Sequence, residues 1–147
     1  MAKDVLRFFF DYGAGGCLWA GDTATRDRLD IGPVDAVAFD CEGRVSKPAC
    51  VELSELAQSL RDQLDFEHSC YLNPLYPPDP SLWTQALCES FNTNVDRLLA
   101  ILRHEIGKDY EILDEQIRYV EDPQLDDYLA VNPGLTRLNE VKVRTVR

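Results

Sequence analysis

Positive charge is what this sequence has least of. Its 147 residues carry 15 Lys and Arg against 26 Asp and Glu, a net charge of −11. Nucleic-acid binding needs clustered Lys and Arg against the phosphates, so the balance argues against that class. It argues equally against docking on an anionic membrane. Long apolar runs are missing too. None approaches the ~20 residues that span a bilayer, and Met1-Ala2-Lys3-Asp4 lacks the apolar stretch of a secretory signal. Cysteines number five, an odd count, and no C-x-x-C occurs among them. Free thiols in a reducing compartment follow, and with them a cytoplasmic location. Histidine is scarce, with only His68 and His104. Cys41, Cys50, His68 and Cys70 lack the close ligand pairs of a structural zinc site, so no metal or cofactor is expected. No internal repeat is visible.

What is present fits one domain, residues 1–147, with 117–147 reading as a C-terminal extension of it. The run Val5 to Tyr12 is aromatic-rich and predicts a strand over 4–12. Its three successive phenylalanines suggest a central strand covered on both faces. Gly13-Ala14-Gly15-Gly16 then makes a hairpin turn into a short second strand over 17–20. Residues 22–29 read as a turn or one helical turn. A third strand is expected over 34–39, closed by the turn Asp40-Cys41-Glu42-Gly43, with Ser46-Lys47-Pro48 as loop. Ser54 reads as the cap of an amphipathic helix over about residues 54–67, with Glu55, Gln58, Arg61, Asp62 and Asp65 on its polar face. Four prolines between Asn73 and Pro80 make a rigid connector. A second helix starts near Ser81 or Thr84. Leu87, Phe91, Val95, Leu98, Leu102 and Ile106 form one apolar stripe, and Gly107 stands at its end. Strand is expected again over 109–121, a helical turn over 124–128, and an alternating strand over 140–146. The fold class is therefore α+β: a mostly antiparallel sheet of about five strands with two amphipathic helices on one face.

The glycine turn invites a phosphate-binding reading. Gly16 and Gly21 have the P-loop frame with Thr23 in the hydroxyl position, but Asp22 stands where the lysine belongs. A carboxylate there repels phosphate, and no helix is expected to follow. A nucleophile is conceivable at Cys17, with His68 as base and Asp11 orienting it, although nothing in the spacing demands this. The main departure from an ordinary composition is the segment from Glu105 to Asp127, whose nine acids face only Lys108 and Arg118, a net −7. Residues 136–147 are net +3 by contrast. Tyrosines interleave with the acids, as at interfaces where aromatic anchors give area and acids steer a basic partner. The expected partner-binding residues are Asp109, Glu111, Asp114, Glu115, Tyr119, Glu121, Asp122, Asp126, Asp127 and Tyr128.

Three stretches carry a resemblance. They are Phe10-Asp11-Tyr12-Gly13-Ala14-Gly15-Gly16-Cys17-Leu18-Trp19, the block Tyr76-Pro77-Pro78-Asp79-Pro80 with Trp83, and Tyr110-Glu111-Ile112-Leu113-Asp114-Glu115. Together they resemble small acidic bacterial proteins of unassigned function, over about residues 5–116. The resemblance implies a bacterial cytosolic origin and carries over no catalytic residue. By analogy with other small acidic bacterial proteins, the expected function is a non-enzymatic immunity or antitoxin module. It would neutralise a basic protein partner, such as a nuclease toxin domain, through its acidic surface. The alternative is a small cytosolic hydrolase or transferase using Cys17. A further alternative is a homodimer, paired through the edge strand at 140–146.

Overall fold

The computed structural model describes residues 3–29 and 32–141. Nine elements follow in order: β1 (Asp4–Phe8), β2 (Leu18–Ala20), α1 (Thr23–Arg28), β3 (Ala38–Phe39), β4 (Val45–Lys47), α2 (Glu55–Ser69), α3 (Gln85–Ile106), β5 (Tyr110–Asp114) and α4 (Leu125–Val131). The class is α+β.

The sheet differs from the expected one. It has three strands in the order β2-β1-β5, and β3 pairs only with β4 as a separate hairpin. β1 runs antiparallel to β2, with Phe8 opposite Leu18, and parallel to β5, with Leu6 opposite Ile112. The missing strand length has local causes. The 34–39 run turns its charged residue, Asp35, inward; Val34 makes single backbone bonds at its start, and only Ala38–Phe39 form a strand ladder. Val45–Lys47 completes that hairpin as β4, although Ser46 and Lys47 were expected in the loop 46–48. The 109–121 run stops pairing at Asp114. Residues 140 and 141 are in no strand, and 142–147 lie outside the described residues, so the strand expected over 140–146 falls mostly there.

β1 is central, and one of its faces is core. Leu6 and Phe8 are fully buried and join the face that α3 covers. The other face is not buried to the same degree. There Phe9 stacks on Trp19 with ring centroids 4.9 Å apart, and the Arg7 guanidinium sits 5.0 Å from the Phe9 ring. The strand ends at Phe8 rather than residue 12, because Phe10 N–H leaves the ladder to donate to Gln116 Oε1 at 2.7 Å.

Both long helices start at the caps read from sequence. Ser54 Oγ accepts from Ala57 N–H at 3.1 Å, and Thr84 Oγ1 accepts from Leu87 N–H at 3.3 Å. Each satisfies one of the orphan amides of a first turn. The apolar stripe of α3 is buried from Leu87 to Ile106 as its spacing requires. A short helix, α1, follows β2 where a turn or one helical turn was expected. Asp22 caps it, accepting from Thr25 N–H at 2.7 Å.

After β5 the chain crosses the molecule as a strap, residues 115–121, without regular secondary structure. It runs antiparallel to α3, whose side chains replace a strand partner. Arg103 donates to Ile112 O at 3.1 Å, Asp96 meets Arg118, and Gln85 Oε1 accepts from Glu121 N–H at 2.9 Å. In the middle Asn92 clamps both backbone groups of Tyr119, at 2.8 and 2.9 Å. The extension beyond is integrated with the core. Leu138 bridges to Trp83, and Leu138 and Val141 pack on the same cluster as the helices.

Candidate functional site

The glycine turn binds an anion, and the anion is the chain's own. The Asp35 carboxylate sits against the turn, where Oδ1 accepts from Cys17 N–H at 3.0 Å and Leu18 N–H at 2.9 Å. Consecutive amides converging on a carboxylate form the sort of cradle that takes phosphate elsewhere. Here it is filled. Gly16 must be glycine for this approach, since a Cβ would lie 2.6 Å from Pro33 Cβ and 2.7 Å from Asp35 Oδ1. Gly13 and Gly15 carry the positive φ values, 70° and 79°, that the turn was expected to need.

Arg61 completes the arrangement from α2. Periodicity puts it on the polar face, but its side chain is only 10% exposed and that of Asp35 is 0%. Arg61 Nη1 donates to Asp35 O at 2.7 Å and to Asp35 Oδ2 at 3.3 Å. Asp62, at the surface, takes the rest of the guanidinium. A cavity of about 590 Å³ opens beside the pair, walled by Val37, Phe39, Val51 and Leu53 with Gln58 and Arg61.

This geometry bears directly on Cys17. The residue is fully buried, and Sγ donates to Asp35 Oδ2 at 3.6 Å. Burial, then the Asp35 charge, pushes the thiol well above its ordinary range. A nucleophilic cysteine needs the opposite shift. Cys17 is therefore paired with a carboxylate and not with His68. In an intact fold, Cys17 is expected to resist a thiol reagent up to pH 9 while exposed Cys41 and Cys50 react. Mass mapping of the labelled peptides measures this, and prompt labelling of Cys17 near neutral pH would revive the enzyme alternative.

His68 belongs to an aromatic cluster. It is buried near the end of α2, and Tyr12 from the glycine turn stacks on it at 4.5 Å. Its Nε2 lies 3.2 Å from the Tyr119 hydroxyl, while Nδ1 is buried without a partner. Burial lowers the pKa of His68 below its ordinary value, partly opposed by the charge of Asp11. Asp11 thus acts on His68 through space, and its carboxylate accepts from Tyr12 N–H. Two of the three residues of the proposed catalytic set are neighbours, and the third is engaged elsewhere. A cavity of about 290 Å³ lies here, lined by Phe10, Tyr12, His68, Gln116 and Tyr119 with the Arg7–Glu115 pair.

The ten expected partner-binding residues divide into two groups. Several hold the strap down. Glu115 takes Arg7 with two bonds of 2.8 and 2.9 Å. Asp114 and Asp96 share Arg118, and Glu121 and Asp126 share Arg137. Tyr119 lies in the aromatic cluster, stacked 4.0 Å from Tyr71, and Tyr128 donates to Asp79 at 3.0 Å. Asp122 accepts from Gln124 N–H at 2.8 Å in the turn before α4. Asp109, Glu111 and Asp127 remain exposed and pair with no base among the described residues. Between these acids, Ile117 and Val120 stand 66% and 68% exposed.

Sequence reasoning missed Asp35, Arg61, Asn92 and Gln116. One signal was available: Asp35 is the lone charge in Val34-Asp35-Ala36-Val37-Ala38-Phe39. Among the described residues no group of three His, Cys, Asp or Glu side chains is placed to hold a metal ion, and no helix is long and apolar enough to cross a membrane. No protein-family model, curated protein or solved structure matches this chain.

Proposed function

We propose that the chain is a non-enzymatic protein-binding module of immunity or antitoxin type, which neutralises a basic partner such as a nuclease toxin domain. The carrying observation is the strap. Ile117 and Val120 project into solvent from a backbone that Asn92 and Gln85 hold in place. Acids flank them on both sides, at Asp109 and Glu111 before and at Asp122 and Asp127 after. A pre-ordered apolar ridge with an acidic border loses little entropy on docking and attracts a cationic surface over distance. The locked thiol of Cys17 speaks against the hydrolase or transferase alternative.

The test is capture of partners from the native host at low and high salt. The reading expects a basic protein retained at low salt and shed at high salt. It also expects weaker retention when Asp109, Glu111, Asp122 and Asp127 are replaced by Asn or Gln, and when Ile117 and Val120 become Glu. If nothing basic is retained at low salt, or if retention ignores those substitutions, the reading fails.

A further inference from the structure

The cavity of about 590 Å³ beside the Asp35–Arg61 pair has no part in holding the fold, and no residue of the strap lines it. Its walls are apolar, from Val37, Phe39, Val51 and Leu53. Val51 and Leu53 are buried, whereas Val37 and Phe39 stand 42% and 63% exposed. β3 pairs only with β4, so the sheet gives this side of the cavity no cover. Small-molecule sites run from roughly 300 to 1,000 Å³, with apolar walls and a few polar groups gathered at one place. This cavity has the size and the walls, and α2 supplies the polar place.

Gln58 and Arg61 both line the cavity, and at a helical spacing of i, i+3 they are neighbours on one face of α2. Gln58 Nε2 donates to Leu53 O at 2.7 Å, which leaves Oε1 as an acceptor. The Arg61 guanidinium has five hydrogens to give. Nη1 gives its two to Asp35, and Asp62 takes Nε–H at 3.0 Å and one Nη2 hydrogen at 2.9 Å. The second Nη2 hydrogen is left over among the described residues. One hydroxyl group meets both needs, accepting from Nη2–H while donating to Gln58 Oε1. Charge narrows the ligand further. Asp35, Asp62 and the wall residue Glu52 outnumber Arg61, which opposes an anion, and the guanidinium opposes a cation at the polar end. We propose that this cavity binds an uncharged, mainly apolar small molecule bearing a hydroxyl group, which bridges Gln58 and Arg61. The site stands apart from the strap, so its test needs no partner protein and bears on the inhibitor reading in neither direction.

The experiment is equilibrium dialysis of the full chain against micromolar probes that share one ring system: 1-naphthol, naphthalene, 1-naphthoate and 1-naphthylmethylammonium. 1-Naphthol is expected to bind at one site per chain with a dissociation constant below about 1 mM. Naphthalene, without the hydroxyl, is expected to bind about three- to tenfold more weakly. Each ion is expected to bind at least about tenfold more weakly than 1-naphthol. Gln58→Met should bring 1-naphthol to the affinity of naphthalene while leaving naphthalene within about twofold. Ala49→Phe fills the cavity and Phe39→Ser removes a wall, and each should weaken 1-naphthol about tenfold. The unfolding midpoint of each variant shows that the fold is intact. No saturable binding of 1-naphthol overturns the inference. So does binding indifferent to both Ala49→Phe and Phe39→Ser, which places the probe elsewhere. Equal or tighter binding of naphthalene or of either ion overturns it too.

Discussion

Asp35→Ala is expected to lower the free energy of unfolding by about 3–5 kcal/mol, because it removes the buried counter-charge of Arg61 and leaves the guanidinium only Asp62 at the surface and a backbone carbonyl. The loss has a second part. The amides of Cys17 and Leu18 lose their acceptor at the same time, in a place closed to water. For a chain of this length the midpoint of thermal unfolding should fall by roughly 6–20 °C. Asp35→Asn keeps an oxygen for the two amides, but it removes the charge and puts an NH2 donor where Oδ2 accepts from Arg61 and Cys17. It should still cost less, about 1.5–3 kcal/mol. Arg61→Met is the converse, removing the cation while the amides still hold the carboxylate, and it should fall between the two. Denaturant titration of the three variants measures the order. A loss below about 1 kcal/mol for Asp35→Ala would show that the turn does not depend on its internal anion.

Trp83 carries the second large effect. It is fully buried, with Tyr71, Phe91 and Tyr119 edge-on to it at 5.1, 5.2 and 5.9 Å. Trp83→Ala should cost about 3–5 kcal/mol through the cavity it leaves. Trp83→Phe is the informative change. The indole Nε1 has no hydrogen-bond partner and is shut off from solvent. Deleting it recovers a desolvation cost of about 1–3 kcal/mol, which offsets the lost contact area. The net change for Phe should be about 1 kcal/mol or less on that balance. If Phe proves as damaging as Ala, the ring's fit outweighs its orphan donor.

Local structure was legible where a short stretch decides it. Ser54 and Thr84 cap their helices because a hydroxyl before an apolar-periodic run has nearby amides to satisfy. Gly13 and Gly15 take positive φ because no other residue does so without strain. The long stripe from Leu87 to Ile106 was readable from spacing alone. Legibility failed where a distant side chain decides the backbone. Residues 115–121 have the composition of a strand, yet Asn92 and Gln85 take the bonds a strand partner would have made. Arg61 lies on the polar face by periodicity, and one buried carboxylate reverses its environment. The acidic segment showed a net charge but not its cancellation, because Arg7 and Arg137 reach Glu115, Glu121 and Asp126 from elsewhere in the chain. Tyr119, expected at an interface, was drawn inward by His68, Tyr71 and Phe91.

The parallel register of β1 and β5, with Asp4 opposite Tyr110, also sets a timetable. The first strand made is completed by nearly the last. At about 5–20 residues per second, the ribosome needs of the order of ten seconds to supply β5 after β1 has emerged. During that interval Phe8, Phe9 and Phe10 have only β2 beside them. α2 and α3, whose contacts are closer in sequence, have the chance to associate first. The β1–β5 pairing is thus the late event of folding, since long-range parallel pairing is slow. Newly made chains stalled before Tyr110 would be the ones most exposed to aggregation.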